Sequence, residues 1–300
     1  MILFKNITLS LLIFLSTTLL ADSHKKFENV EIKTINVSNG VYMLMGSGGN
    51  IGVSVGNDGV FMIDDQFAPL TKKIKAAIAK ISDKPVKFVI NTHWHFDHTG
   101  GNENLGTDGV VIVSHDNVRK RLSKDGFIKA FNKKVPASPK IALPVITFND
   151  TISFHLNDEN IEVLHQSNAH TDGDSIIFFK SSNVIHTGDI FFNGFYPFID
   201  KSSNGSIDGV IKSVNYILTR ADENTKIIPG HGKLSNKEEL KMYRDTLIIL
   251  KDRMKKLIDD GKTLEEIIAM KPNSDLDETW GKGFLNPENF LRILYSVVKN

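Results

Sequence analysis

An α/β architecture, two mixed sheets flanked by helices, is predicted by three observations. Short runs rich in β-branched residues at 30–37, Val41–Met45, 51–55, 60–63 and 86–90 are parted by Gly40, Gly46–Gly49 and Asn57-Asp58-Gly59, as strands are by turns. A helical pattern at 69–81 interrupts them, with Leu70, Ile74, Ala77, Ile78 and Ile81 on one face, and strands and helices then alternate as far as Ile228. The third observation is placement: the histidines and aspartates that could do chemistry fall just past the ends of apolar runs, where strands leave a sheet.

The remaining elements follow the same logic. Further strands are expected at 110–113, Thr151–Leu156 and 161–166, and an apolar segment at Val184-Ile185. Residues 132–144, with Pro136, Pro139 and Pro144, read as a mobile connector, solvated or bordering the site. From Asn236 a long helix places Leu240, Tyr243, Leu247, Leu250, Met254 and Leu257 three and four apart and stops before Gly261. Two more helices are expected at 263–270 and Pro287–Val298. No Gly- or Ser-rich linker sets 236–300 apart, so this region is taken as a helical cap on one domain, 22–300, with an oligomer contact as the other reading.

Composition narrows the class. Of 300 residues, 41% are hydrophobic and 24% charged, ordinary for a chain with a large core. Lys5, the apolar stretch 7–20 and Ala21, followed by polar Asp22-Ser23-His24-Lys25-Lys26, read as a signal peptide over 1–21, with a retained anchor as the alternative. Export to a periplasm is therefore expected, with no stable membrane anchor. The 36 basic and 35 acidic residues balance, which argues against a nucleic-acid partner. Cysteine is absent.

The chemistry concentrates in His93-Trp94-His95-Phe96-Asp97-His98, directly after the run 86–90. If the chain stays extended past Asn91, His93 and His95 face the same side, because side chains alternate along a strand. Imidazole and carboxylate are the usual zinc ligands, and a strand end is a rigid place to hold them. The glycines of Thr99-Gly100-Gly101-Asn102 let the backbone approach the cluster. Later segments add His170 in Asn168-Ala169-His170-Thr171-Asp172, Asp189 in His186-Thr187-Gly188-Asp189, and His231 in Pro229-Gly230-His231-Gly232.

This succession resembles the metallo-β-lactamase fold superfamily, whose pattern is His-x-His-x-Asp-His, then His, Asp and His at the ends of later strands. The resemblance covers Gly40 to Gly232 and implies the αβ/βα sandwich of that family. It further implies that His93, His95 and His170 hold one metal, that Asp97, His98 and His231 hold a second, and that Asp189 bridges them. Two metals sharing a hydroxide could attack a carbonyl without any serine or cysteine nucleophile. The implied cofactors are two Zn2+, with iron possible, and the implied partner is a small-molecule substrate. Asp97 would help orient the nucleophile and shuttle a proton.

The chain departs from the zinc β-lactamases, which often place a cysteine in the second site and a lysine three residues beyond it. Here the ligand is Asp189 and the corresponding offset gives Phe192. The ligand set looks more like the glyoxalase II and lactonase branches. The expected function is an exported dinuclear zinc hydrolase of a small ester, lactone, thioester or related acyl compound. The alternatives are a cysteine-free β-lactamase or an iron-dependent persulfide or oxygen oxidoreductase.

Some residues remain open between roles. Phe191 to Phe198 hold five aromatic side chains, either a substrate-pocket wall containing Phe192, Asn193 and Tyr196 or ordinary core. Asp64 and Asp65 could orient a ligand imidazole or merely form a turn. His186 could support the metal ligands, although a half-buried strand histidine is the simpler reading. His115, His155 and His165 are read as structural.

Overall fold

The computed structural model of the chain describes residues 26–299; the expected signal peptide, 1–21, lies outside the described residues. Four antiparallel strands come first: β1 (Lys33–Ser38), β2 (Val41–Met45), β3 (Ile51–Gly56) and β4 (Gly59–Ile63). Helix α1 (Thr71–Ile78) crosses over to β5 (Val86–Asn91), parallel to β4, and short helices α2 (Phe96–Thr99) and α3 (Asn102–Thr107) lead to parallel β6 (Val111–His115). Helix α4 (Asp116–Leu122) precedes a separate hairpin of β7 (Gly126–Ile128) and β8 (Lys133–Val135), and β9 (Ile146–Phe148) completes the first sheet beside β6.

The second sheet begins with antiparallel β10 (Thr151–Leu156), β11 (Glu159–Gln166) and β12 (Asp174–Phe179), continued by β13 (Val184–His186). Helix α5 (Ile207–Arg220) crosses to β14 (Lys226–Ile228), parallel to β13, and β15 (Ser235–Asn236) ends the sheet. Four helices close the chain: α6 (Lys237–Asp259), α7 (Leu264–Met270), α8 (Ser274–Trp280) and α9 (Pro287–Val298).

Alternation along the strands builds the layers. In β4, Phe61 and Ile63 face the second sheet while Val60 and Met62 face α1, where Leu70, Ile74 and Ile78 cover them. In β12, Ile177 and Phe179 face inward, and Ile176 and Phe178 face the helices α5 and α6. Both sheets are thus buried on two faces, giving helix, sheet, sheet, helix. The two mixed sheets flanked by helices read from the sequence are the architecture observed.

Three local expectations are corrected. The first helix spans Thr71–Ile78 after a 3₁₀ turn at Ala68–Leu70, since Pro69 cannot sit deep in an α-helix. Residues 132–144 are not one open connector: β8 pairs with β7, because Phe127 to Lys134 supply a hairpin register that the prolines merely follow. Helix α8 was not anticipated; it buries no residue and so carries no apolar periodicity to read. Helix α6 fits the expected pattern, capped by Asn236 accepting from the amide of Glu239, with Leu240, Tyr243, Leu247, Leu250 and Met254 buried. No helix of the described residues is long and apolar enough to cross a membrane.

Candidate metal centre

The site forms where parallel strands of both sheets end together, at the C-terminal ends of β4 and β5 in one sheet and of β13 and β14 in the other. Reciprocal amide bonds between Asn91 and Asn102, 3.1 and 3.0 Å, lock the end of β5 to α3. Trp94 turns away from the site and donates from Nε1 to Ser203 at 3.0 Å, so its neighbours His93 and His95 turn in. The backbone then enters α2, whose first turn carries Asp97 and His98. The chain opposite must come very close: a Cβ on Gly49 would lie 2.1 Å from the His98 ring.

The seven residues singled out in the sequence converge into two adjoining groups, His93, His95, His170 and Asp189, and Asp97, His98 and His231. Nδ1 of His95 lies 3.1 Å from Nε2 of His93 and 2.9 Å from Nε2 of His170. Asp189 straddles the groups. Its Oδ2 is 3.8 and 3.6 Å from Nε2 of His93 and His170, while its Oδ1 is 3.1 and 3.4 Å from Nε2 of His98 and His231. Oδ2 of Asp97 lies 3.3 Å from His231 and 3.7 Å from His98.

The far side of each ring decides which nitrogen is bare. His170 Nδ1 donates to the carbonyl of Phe198 at 2.7 Å, which leaves Nε2 with its lone pair. His95 Nε2 donates to Asp200 Oδ2 at 3.1 Å, which leaves Nδ1 bare in the neutral ring. Thr92 Oγ1 gives its own hydrogen to Asp64 at 2.8 Å and therefore accepts from His93 Nδ1 at 3.0 Å, so His93 Nε2 is bare as well. Three lone pairs meet at hydrogen-bonding distance with no hydrogen between them. That arrangement repels unless a cation is shared.

The donor set fits a divalent metal. Asp189 Oδ1 is buried and makes no hydrogen bond despite two imidazole nitrogens within ion-pair reach. Its lone pairs and theirs point at common points rather than at each other. Bonds of ~2.0–2.1 Å from a tetrahedral ion would set neighbouring donors ~3.3 Å apart, in the middle of the separations observed. Orienting partners on the ligand rings are the usual companions of such a site.

Electrostatics separates the halves. Burial pushes His170 down to about 4 and His93 well below the ordinary imidazole range, the latter reinforced by the charge of His98. Burial also works against protonated His98 and His231, but Asp189 and Asp97 overcome it, holding His98 well above the usual value and pushing His231 up to about 9. Burial alone would raise Asp97, yet His98 and His231 draw it down to about 2. Asp189 is likewise held well below the carboxylate range by His98, His231 and His93 against its burial. Protons on His98 and His231 and a divalent ion are alternative partners for the same carboxylate oxygens.

The centre opens into a cleft of about 370 Å³ with Asp97, Asp189 and His231 on its floor, aromatic walls of Phe67, Phe96, Phe131, Phe198 and Phe284, and Lys26 and Lys133 along one side. The aromatic run after Asp189 divides between the two roles left open. Phe198 lines the cleft, but Phe192, Asn193 and Tyr196, expected to meet substrate, do not. Phe192 is fully buried and stacks on His231 at 5.3 Å. Tyr196 packs flat on Phe290 at 4.0 Å and donates to Asp277, and the Asn193 amide bonds Lys233 and Glu239. The apolar cap draws these side chains inward because they lie under α6, α8 and α9.

Asp64 orients His98 and Thr92, whereas Asp65 accepts from the amide of Gly101 and holds the turn after α2. His186 is not half-buried but fully enclosed, accepting from the Gly188 amide and bonding the carbonyl of Asn50, which ties the two sheets beneath the site. Asp200, Thr92 and the Phe198 carbonyl, all orienters of ligand rings, were missed by sequence reasoning. Only the position of Asp200 at the end of the aromatic run could have hinted at it. Lys133 was missed because its hairpin was read as a connector.

A four-layered sandwich with paired His/Asp groups at the strand ends defines a class of metal-dependent protein. The chain belongs to the metallo-beta-lactamase superfamily, whose family model matches residues 45–231. Among curated proteins it is 24% identical over 144 residues to 2,4-dinitroanisole O-demethylase subunit alpha of Nocardioides sp. (strain JS1661), covering 46% of this chain and 40% of that one. It is 22% identical over 252 residues to the linear primary-alkylsulfatase of Pseudomonas sp. (strain ATCC 19151), covering 70% of this chain and 47% of that one. The chain thus spans less than half the length of these curated relatives. Its fold is similar to that of a double mutant of the sec-alkyl sulfatase PisA1, with TM-score 0.64 at 18% identity over 88% of this chain and 50% of that one.

Proposed function

We propose that the protein is a dinuclear zinc hydrolase acting on a small ester, lactone, thioester or related acyl compound. The observation that carries this reading is the convergence of bare imidazole nitrogens on one oxygen of Asp189 while its other oxygen faces a second set. His93, His95 and His170 would hold one ion and Asp97, His98 and His231 the other, with one Asp189 oxygen toward each. A bound pair would supply Lewis acidity and a water ionised near neutral pH, which suits an acyl or related ester centre.

The chain's own residues do the rest. Asp97, with its side chain 21% exposed on the cleft floor, can orient the attacking water through Oδ2 and pass a proton to the departing oxygen. Phe96, Phe198 and Phe284 exclude bulk water around it. A sulfate ester is a second reading, favoured by the lysines beside the aromatic walls and by the alkylsulfatase among the relatives.

Metal analysis of protein purified without a chelating tag tests the centre. About two zinc ions per chain are expected, and Asp189→Ala should lose at least one and abolish turnover while keeping its far-UV circular dichroism. A predominance of iron, with no hydrolysis across a panel of esters, lactones, thioesters and alkyl sulfates, would establish the oxidoreductase alternative.

A further inference from the structure

The hairpin β7–β8 is not needed to build either sheet, yet it stands over the metal centre. A Cβ on Gly126 would touch the Trp94 ring at 3.2 Å, so the hairpin base rests on the segment between His93 and His95. Phe131, beyond its first strand, lies 4.7 Å from Phe198, whose ring is 5.6 Å from both His95 and His170. An aromatic path therefore runs from the hairpin to the ligand rings, although Phe131 itself is 42% exposed.

On the returning strand, the ammonium of Lys133 sits 3.2 Å from the centroid of Phe96 and lines the cleft together with Lys26. Among the described residues neither lysine makes an ion pair. Burial weakens the hold of Lys133 on its proton; Asp97 strengthens it and Lys26 weakens it again. Residues 119–140 carry eight Lys or Arg against the single Asp125, in a chain of 36 basic and 35 acidic residues. A partly desolvated ammonium with no carboxylate of its own, beside a water-excluding aromatic wall, is matched by an anion with an apolar body.

We propose that the hairpin selects amphiphilic anions: substrates whose apolar chain or ring lies along Phe131, Phe198 and Phe284 and whose negative charge pairs with Lys133. This names a substrate class for the centre proposed above and rests on that reading for the reaction, though not for the binding. Lys133 acts as a specificity residue, attracting the charge without touching the bond that breaks.

Two measurements test it. The first compares 4-nitrophenyl hexanoate with mono-4-nitrophenyl adipate, equal in length but differing by a terminal carboxylate. The ratio of kcat/KM should favour the anionic ester by about tenfold or more at low salt and shrink as salt is added. Lys133→Ala should collapse the ratio toward one, and Lys133→Arg should largely retain it. The second is calorimetric titration with decanoate and decanol, in which wild type should bind decanoate at least about tenfold more tightly, a preference lost in Lys133→Ala. Equal handling of charged and neutral partners by wild type, or a preference indifferent to Lys133, would overturn the proposal. Decanoate binding that depends on Lys133 in a protein that hydrolyses neither ester would leave this inference standing and remove the hydrolase reading.

Discussion

Nδ1 of His98 donates to Oδ2 of Asp64 over 2.7 Å, with both side chains wholly buried. The same oxygen accepts from Thr92 Oγ1 at 2.8 Å, and that hydroxyl lies 3.0 Å from Nδ1 of His93. One carboxylate thereby aims a ring from each ligand group. Asp64 does so at φ 61°, a left-handed conformation unusual for a residue with a side chain. The backbone amide of Thr92, at 2.7 Å from its other oxygen, helps hold it there.

Replacing Asp64 with Ala should therefore weaken metal binding about ten- to a hundredfold, because His98 loses the acceptor that fixes its tautomer and aim. Chelator competition, followed by metal release, measures this directly. An unchanged affinity would return Asp64 to a turn-forming role.

Stability of the metal-free protein should fall with acid. Burial holds His170 and His186 down to about 4, whereas an unfolded histidine protonates near ~6.5. The unfolded chain then binds protons that the fold refuses, so stability is complete above pH ~6.5 and is lost progressively from there toward pH ~4. His186 alone should contribute on the order of 3 kcal/mol across that span. Denaturant titrations of the chelator-treated protein at pH 7.5 and 5 would show it, and His186→Gln, which cannot take up the proton, should flatten the fall. A pH-independent midpoint for the wild type contradicts the assignment.

Penicillins and cephalosporins should be poor substrates. Position 192, where one branch of the superfamily places a carboxylate-binding lysine, holds a phenylalanine buried against His231. Nor do the lysines named by sequence as replacements reach the cleft: Lys180 pairs with Glu162, Lys201 donates to carbonyls of Ser296 and Lys299, and Lys212 is exposed on α5. A missing charged contact lowers binding by about ten- to a hundredfold. In side-by-side kinetics the best ester or lactone should exceed every β-lactam in kcat/KM by at least about tenfold. The reverse order would make the protein a β-lactamase that uses Lys133 or Lys26 for the carboxylate.

We also propose that the protein is exported and cut after Ala21, from the charged start, apolar stretch and small residue at the head of the chain. Mass spectrometry of the periplasmic fraction should find a chain beginning near Asp22. Recovery of intact Met1 with the membranes would mean a retained anchor instead.

The sequence by itself determined the layered α/β class and the seven metal-type side chains. Period-two alternation in β4 and β12 and the three-and-four spacing in α6 are local consequences of burial, so they are written along the chain. His93 to His98 are legible because one strand end delivers them all, and the resemblance supplied the order in which His170, Asp189 and His231 join them. Only the tertiary structure decided which residues stand behind the rings and in front of them. Asp64, Asp200 and the Phe198 carbonyl fix the tautomers across separations of many residues, and hydrogen bonds of that kind leave no period in a sequence. The same holds for the cleft: Phe192 and Tyr196 resemble Phe198 in composition and position, but α6, α8 and α9 close over the first two and leave the third facing the metal centre. A side chain's type fixes what it can bind, and the packing of distant elements decides whether it meets substrate or core.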